Sequence, residues 1–279
     1  MKCNKCPRGC EIKNGVGFCG VSGLKVAKIM KHFYEEPFIS GEKGSGAIFF
    51  SGCNLRCCYC QNMPISHGGK GEHYSTERLA EEILALQSDG VHNINLVTAA
   101  HIKTEVAEVL KAVKPHLNIP VVYNSSGYEG DLSMLDGLVD VYLPDFKYFD
   151  PILAKKYSMA PDYPQVAKSA IAQMVAQVGE VVIEDGLIKR GVVIRHLVLP
   201  SARKDSISIL DYIKEHFPSS YVSIMSQYTP QFNVGPKELN RPVTAFEYNS
   251  VVNYAADLGL KGFMQDRASA TSLYTPSWE

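Results

Sequence analysis

Two hydrophobic periods take turns along this chain, and the switches between them lay out its elements. Residues 25–33 alternate polar and apolar by two and predict a strand; 47–50 form a short apolar run typical of a buried strand. A helix is predicted from a Ser75 cap to about Gln87, with Leu79, Ala80, Ile83, Leu84 and Leu86 on one face and Asp89-Gly90 as its stop. The alternation then repeats: strand 93–97, helix 103–113 stopped before Pro115, strand 121–124, a short helix around 132–138, strand 139–143. A longer helix follows Pro164, with Val166, Ala170, Ile171, Met174, Val175 and Val178 at helical spacing. A small hairpin over 181–191 turns at Asp185-Gly186, and 192–199 is a β-branched strand. Helix 205–216, strand 221–225, helix 245–258 and an apolar stretch at 260–264 complete the series.

Strands that alternate with helices pair in parallel. The pattern therefore predicts an α/β chain: an open, partial TIM-like barrel of about six parallel β/α units, preceded by a small Cys-rich segment. The expected division is residues 1–45 for that segment and its lead-in strand, and 46–279 for the barrel with a C-terminal extension.

Composition narrows the function. An apolar content of 46% over 279 residues supplies a barrel-sized core. A formal charge of −1 gives no basic excess for nucleic acid or an anionic membrane surface. No apolar run reaches the roughly 18 residues of a membrane span, and the start Met-Lys-Cys-Asn-Lys-Cys lacks the apolar stretch of a leader. Eight cysteines, seven of them in two spaced sets, point to metal rather than disulfides, and so to a reducing, oxygen-poor cytoplasmic setting.

The first set lies on the loop that follows strand 47–50. Cys53, Cys57 and Cys60 are spaced x3 and x2, close enough to converge on one centre, but three thiolates do not close a tetrahedral zinc site. They suit a [4Fe–4S] cubane with one iron left open, and the end of a barrel strand is where such folds place chemistry. The competing reading is a zinc knuckle or a chance group of buried thiols. Cys58 is out of register and reads as a packing residue. In the second set, Cys3, Cys6, Cys10 and Cys19 stand among Pro7, Gly9, Gly15, Gly17 and Gly20, which allow tight turns around a metal. This set fits either a structural zinc or a closed second [4Fe–4S] cluster, whose binding would fold the segment. The glycine-rich 41–46 lacks the Gly-Lys-Ser/Thr ending of a phosphate loop and reads as a turn, and His32 as a packing residue.

The Cys-x3-Cys-x2-Cys spacing with Tyr59 before its last cysteine resembles the signature of the radical S-adenosylmethionine (SAM) superfamily. That resemblance implies an open iron that chelates SAM, cleavage of SAM to methionine and a 5′-deoxyadenosyl radical, and Tyr59 beside the cofactor. The segment Asp145-Phe-Lys147 resembles the Asp-x-Lys motif of pyruvate formate-lyase activating enzymes, whose Lys contacts SAM and whose Asp helps hold a monovalent cation. Carried over, Asn124, Ser125 and Asp145 stand at the cation position, although Asn124 replaces an expected carboxylate. Asn124-Ser125-Ser126-Gly127 resembles that family's segment after the third strand, and Ser126 joins the implied cofactor contacts. Arg195 falls on the family's Arg-x-x-Val-x-Pro pattern, and Gln227 where a SAM-proximal His is common. Thr98-Ala-Ala-His101 stands where the superfamily carries Gly-Gly-Glu, so Thr98 is left to meet the SAM amino group, and His101 is a local candidate.

The N-terminal Cys-x2-Cys-Pro-Arg-x-Cys segment resembles the stand-alone, activating-enzyme-like branch of the superfamily. The implied function is hydrogen-atom abstraction, with reduced flavodoxin or ferredoxin as electron donor and a glycyl-radical enzyme as partner. The alternatives are a radical SAM enzyme acting on another peptide, an RNA or a small molecule, and a non-catalytic iron–sulfur electron-transfer or scaffold protein.

Overall fold

The computed structural model describes residues 2–13, 15–67, 69–230, 235–265, 276 and 278. In chain order the elements are β1 (Lys25–His32), α1 (Pro37–Ser40), β2 (Ser45–Phe50), α2 (Met63–Ser66), β3 (Glu72–His73), α3 (Thr76–Ser88), β4 (Ile94–Val97), α4 (Lys103–Val113) and β5 (Val121–Ser125). Then come β6 (Val141–Pro144), α5 (Pro151–Ser158), α6 (Tyr163–Val178), β7 (Val182–Glu184), β8 (Leu187–Leu197), α7 (Arg203–His216), β9 (Tyr221–Met225), α8 (Ala245–Asp257) and β10 (Gly262–Met264). One sheet runs in the order β10-β9-β8-β6-β5-β4-β2-β1-β3, with β7 paired only to β8. Every neighbouring pair from β2 to β10 is parallel; β1, β3 and β7 pair antiparallel. The sheet does not close on itself among the described residues, so the expected open barrel stands.

Side-chain alternation gives the sheet two faces. Ile48, Phe50, Leu96, Tyr123, Tyr142, Val192, Ile194 and Ile224 point outward and meet the buried faces of the helices, such as Leu79 and Ile83 of α3 or Ile171 and Met174 of α6. Each such Leu or Ile contributes about 1.5–3 kcal/mol by leaving water. The inward row is mixed. Val122, Val141, Leu143 and Val193 close around Ile39 of α1, which plugs one end. Asn95, Asn124, Asp145, Arg195 and Ser223 continue that face, as the register Val97↔Asn124, Asp145↔Arg195 and Arg195↔Ser223 shows.

Several elements differ from expectation, beginning with the short α1, α2 and β3, which the sequence pattern did not predict. The region 132–138 holds only a 3₁₀ turn, Ser133–Leu135. Helix α5 was not anticipated, although Asp150 caps it by accepting from the Ile152 N–H (2.7 Å) and Pro151 opens it. Its eight residues are too few for a periodic signal to stand out. The second arm of the hairpin and the following strand are one 11-residue strand, β8. Elsewhere the boundaries fall within a few residues of those predicted. Ser75 caps α3 through Arg78 N (3.1 Å).

Candidate active site

Residues Ser51 to Asn62 leave the end of β2 as a loop. Its root is held by the core: Ser51 N donates to Lys25 O (2.9 Å), Gly52 N to Ile65 O (2.9 Å), and His101 Nε2 to Ser51 O (2.8 Å). His101 is therefore a buried tether below the loop, outside the cavity. Gly52 has φ +83°, and a Cβ there would lie 2.7 Å from the Cys19 carbonyl, so only glycine lets the N-terminal segment approach.

From this loop Cys53, Cys57 and Cys60 face one cavity of about 210 Å³. The same cavity is walled by Tyr59, Thr98, Ser125, Ser126, Asp145, Lys147, Arg195 and Gln227. Every residue assigned to the cluster or to SAM thus reaches one space, from six different strands. Cys58 is outside it; its N–H donates to Tyr157 O (2.9 Å) and it packs at the rim.

The three thiols sit in a setting that a metal would relieve. Burial, then the neighbouring Cys57, raises the Cys53 thiol above its ordinary range and pushes Cys60 up to about 12. Such thiols stay protonated until soft cations draw them to thiolates. Donors to sulfur are already placed. Ser158 Oγ donates to Cys57 Sγ (2.9 Å), Ser66 Oγ meets Cys60 Sγ (3.3 Å), and Leu55 N approaches Cys53 Sγ (3.4 Å). Because the single Ser158 proton goes to sulfur, Tyr148 must donate to Ser158 (2.7 Å) and Tyr59 to Tyr148 (2.7 Å). Tyr59 therefore ends a chain of hydroxyls directed at Cys57. Among the described residues no three Cys, His, Asp or Glu close on a single ion. A cubane does not require that, since its ligand sulfurs stand further apart than those around one metal.

Opposite the thiols is a charged array. Asp145 accepts from Lys147 Nζ (2.6 Å) and Arg195 Nε (3.1 Å); Arg195 also reaches Glu35 (3.3 Å) and donates to Asn124 Oδ1. Glu35 accepts from Asn95 (3.0 Å) and Asn124 (3.2 Å). The four charged side chains are only 11–17% exposed. Burial alone would raise Asp145, but Lys147 and Arg195 overcome it and hold the carboxyl below its ordinary range. Burial would likewise lower Lys147; Asp145, then the Cys57 thiol, raise it instead. Beside them Glu36 is raised by burial, against the pull of Arg195.

Other sequence candidates are spoken for within the wall. Ser125 Oγ donates to buried Glu129 (2.6 Å), and Gln227 Oε1 accepts from Gln265 (2.9 Å). Thr98 has φ +65°, a strained conformation for a β-branched residue, and its N–H donates to Asn124 O (2.9 Å). Gly127, φ +74°, lets the β5 loop touch the Asp145 carbonyl, which a Cβ would strike. Sequence reasoning missed Glu35, Glu36, Tyr148 and Ser158. Of these, only Glu35 and Glu36 carried a signal, as a pair of acids just before Pro37. Pro276 also lines the cavity, and Trp278 stacks edge-on against Phe49 of β2 (5.3 Å).

With this geometry in place, the chain can be set beside known proteins. Residues 47–179 match the model of the radical SAM superfamily. An uncharacterized protein of Methanocaldococcus jannaschii is 28% identical over 273 residues, covering 92% of this chain and 75% of that one. SuiB of Streptococcus suis superposes with a TM-score of 0.52 at 14% identity, over 76% of this chain and 46% of SuiB. SuiB bound to precursor peptide SuiA gives 0.50 at 10% identity, over 77% and 46%. The chain thus spans about half the length of SuiB, and at these identities the likeness is one of fold.

Proposed function

We propose that this chain, a member of the radical SAM superfamily by its domain at residues 47–179, binds a [4Fe–4S] cluster through Cys53, Cys57 and Cys60 and uses it to cleave SAM. The observation that carries the reading is three thiols, two of them buried and the third half-buried, and the Lys147–Asp145–Arg195 array on one cavity at the strand ends. When bound, a reduced cluster supplies the electron that splits SAM into methionine and a 5′-deoxyadenosyl radical able to take a hydrogen atom.

The protein's own residues have separate tasks. Cys53, Cys57 and Cys60 would hold such a cluster by three thiolates, with no fourth protein ligand supplied by this loop. Lys147 offers a point charge to the SAM carboxylate while Asp145 holds its ammonium in place. Arg195 keeps the Asp145–Glu35–Asn124 network charged and ordered. Its guanidinium already stands between Asn124 and Asp145, and so provides the positive charge that a monovalent cation would supply there. Thr98, Ser126 and Gln227 present the remaining polar wall, and Tyr59 closes it next to the cluster.

The hydrogen donor we assign is a glycine Cα of a partner protein, with flavodoxin or ferredoxin as reductant. The Asp145-Phe146-Lys147 segment supports this reading, since both charged residues face the cavity. Another peptide or a small molecule is favoured by one feature, the presence of Pro276 at the cavity wall. The four N-terminal cysteines we assign to a second metal centre, and iron and zinc analysis separates its two chemistries. No disulfide joins any of the eight cysteines, and we assign the chain to a reducing, cytoplasmic setting. Among the described residues no helix is long and apolar enough to cross a membrane.

The test is 5′-deoxyadenosine formation by anaerobically reconstituted protein with SAM and a strong reductant. The parent should turn over, and the Cys53→Ala, Cys57→Ala, Cys60→Ala triple variant should not. A fully loaded parent that binds no SAM and forms no deoxyadenosine overturns the reading. Deuterium transfer into deoxyadenosine from a Cα-deuterated glycyl-radical protein then decides between protein and small-molecule donors.

A further inference from the structure

The N-terminal cysteine segment does not stand apart from the cluster loop. It grips that loop at two points, both between or at cluster ligands. The Cys53 N–H donates to the Cys19 carbonyl (3.3 Å), so a cysteine of one set is bonded through its backbone to a cysteine of the other. Arg8, inside the Cys6-Pro-Arg-Gly-Cys10 turn, extends its guanidinium beneath the loop. It donates to Asn54 O (2.8 Å) and Leu55 O (3.3 Å), the carbonyls between Cys53 and Cys57, and to Ser158 O (2.9 Å) and Met159 O at the end of α5. Phe18 lies under the guanidinium at 4.1 Å and Tyr128 at 5.5 Å. Asn54 is itself fixed, donating to Tyr128 O (2.8 Å).

We infer that Arg8 is a positioning residue for the cluster loop, and that the N-terminal cysteine segment serves to hold Arg8 there. The inference rests on the assignment of Cys53, Cys57 and Cys60 to the cluster. Arginine suits the task because a planar fork of five donors can serve four carbonyls at once, which an ammonium cannot. By fixing the Asn54 and Leu55 peptides it sets the separation of Cys53 and Cys57. By fixing Ser158 it aims the hydroxyl that donates to Cys57 Sγ. Its charge, a few bonds from two ligands, favours the more negative, reduced form of the cluster. Among the described residues the segment has little regular structure of its own, only the isolated bridges Lys2↔Glu11 and Lys13↔Val16. Metal at its four thiols is what would keep Arg8 in place.

The test compares full-length Arg8→Gln and Arg8→Lys with the parent, all loaded with iron and sulfide. The readouts are the midpoint potential and EPR spectrum of the signal that the triple cysteine variant lacks, with Tm recorded beside them. Arg8→Gln should move the potential to a more negative value and change the g-values. Arg8→Lys, which keeps the charge and loses the fork, should hold the potential near the parent's yet still change the g-values. A lower Tm with unchanged potential and spectrum would reduce Arg8 to a structural tie and overturn the proposal. A second measurement needs neither variant nor cluster: amide exchange at residues 53–58 in metal-free protein, against protein with metal only at the N-terminal set. Metal there should slow the Cys53 amide several-fold, and equal rates would overturn the proposal too. SAM cleavage by the parent enters neither readout, so failure of the catalytic assignment is seen separately.

Discussion

The two cysteine sets differ in what shapes them before any metal arrives. The barrel builds the first. Cys53 and Cys57 are buried, the loop root is hydrogen-bonded to β1, α2 and His101, and hydroxyls already point at the sulfurs. The second has half-buried thiols in a glycine-rich segment, tied by local bonds such as Cys3 N to Cys10 O (2.8 Å) and Phe18 N to Cys10 Sγ (3.2 Å), and joined to the barrel by Cys53 N to Cys19 O (3.3 Å), the Lys5–Glu105 pair and the reach of Arg8. A core can prepare a metal site in advance, whereas a segment without a core must let the metal fold it.

Replacement of one cysteine in each set breaks the comparison most sharply. Cys57→Ala should lower SAM cleavage more than about 10³-fold, because it removes a ligand and the acceptor of the Ser158 bond. Cys6→Ala should lose metal from the N-terminal set, as read by metal-to-protein ratio, and lower SAM cleavage far less than Cys57→Ala, through the loosened hold of Arg8 alone. If Cys6→Ala abolishes cleavage as fully as Cys57→Ala, the two sets are one functional centre.

Next in size is the cost of disturbing what the core prepared. Arg195→Met leaves buried Glu35 without its cation and Asp145 with Lys147 alone. Stranding buried charge in this way costs about 3–5 kcal/mol, measured by denaturant unfolding of the metal-free chain. In the same assay Cys6→Ala should fall within about 0.5 kcal/mol of the parent, since without metal its thiol is a minor surface contact. Comparable losses would mean that the N-terminal segment has a core of its own.

The difference between the sets also explains what the sequence could show. The cluster loop was legible because three cysteines at fixed spacing after an apolar run have few other uses. The parallel β/α order was legible from the exchange of periods, down to β9 at Tyr221–Met225. Glu35 could not be foreseen as the partner of Arg195, because the two are 160 positions apart and only the curled sheet brings them to 3.3 Å. A buried Arg did call for an anionic partner, without naming it. Ser158 and Tyr148 were hidden for a similar reason: a hydroxyl's role depends on where its one proton points, and α5, which places Ser158, was too short to detect. Arg8 was read as part of a cysteine motif, since sequence carries no sign that a side chain reaches four distant carbonyls.

The smallest effect lies in the acid response, which separates the loop root from the N-terminal segment. Burial lowers both His101 and His196 to about 4, against an ordinary value of 6.5. Between those values the unfolded chain binds protons that the folded chain refuses, so stability present above pH 6.5 is lost as pH falls toward 4. Each histidine contributes a slope of about 1.4 kcal/mol per pH unit. Asp205 opposes them. Burial raises it to about 6 although Phe149 and Asp150 N–H groups donate to it, so below pH 6 the folded chain takes up a proton first and gains stability. Against Asp205 alone the two histidines leave a net loss toward acid; Glu36 and Glu129, also raised by burial, act with Asp205, while Asp145 and Glu247, held low by their partners, act with the histidines. His101→Gln, whose amide can still donate to Ser51 O, should flatten the unfolding free energy of the metal-free chain between pH 4 and 6, and Asp205→Asn should steepen it. Because His101 tethers Ser51, exchange at the loop root should quicken together with global unfolding as pH falls. The N-terminal amides should exchange at a rate that follows metal occupancy instead. Loss of loop-root protection at a pH where the barrel remains folded would show that the core does not hold this loop, and the contrast between the two sets would fall.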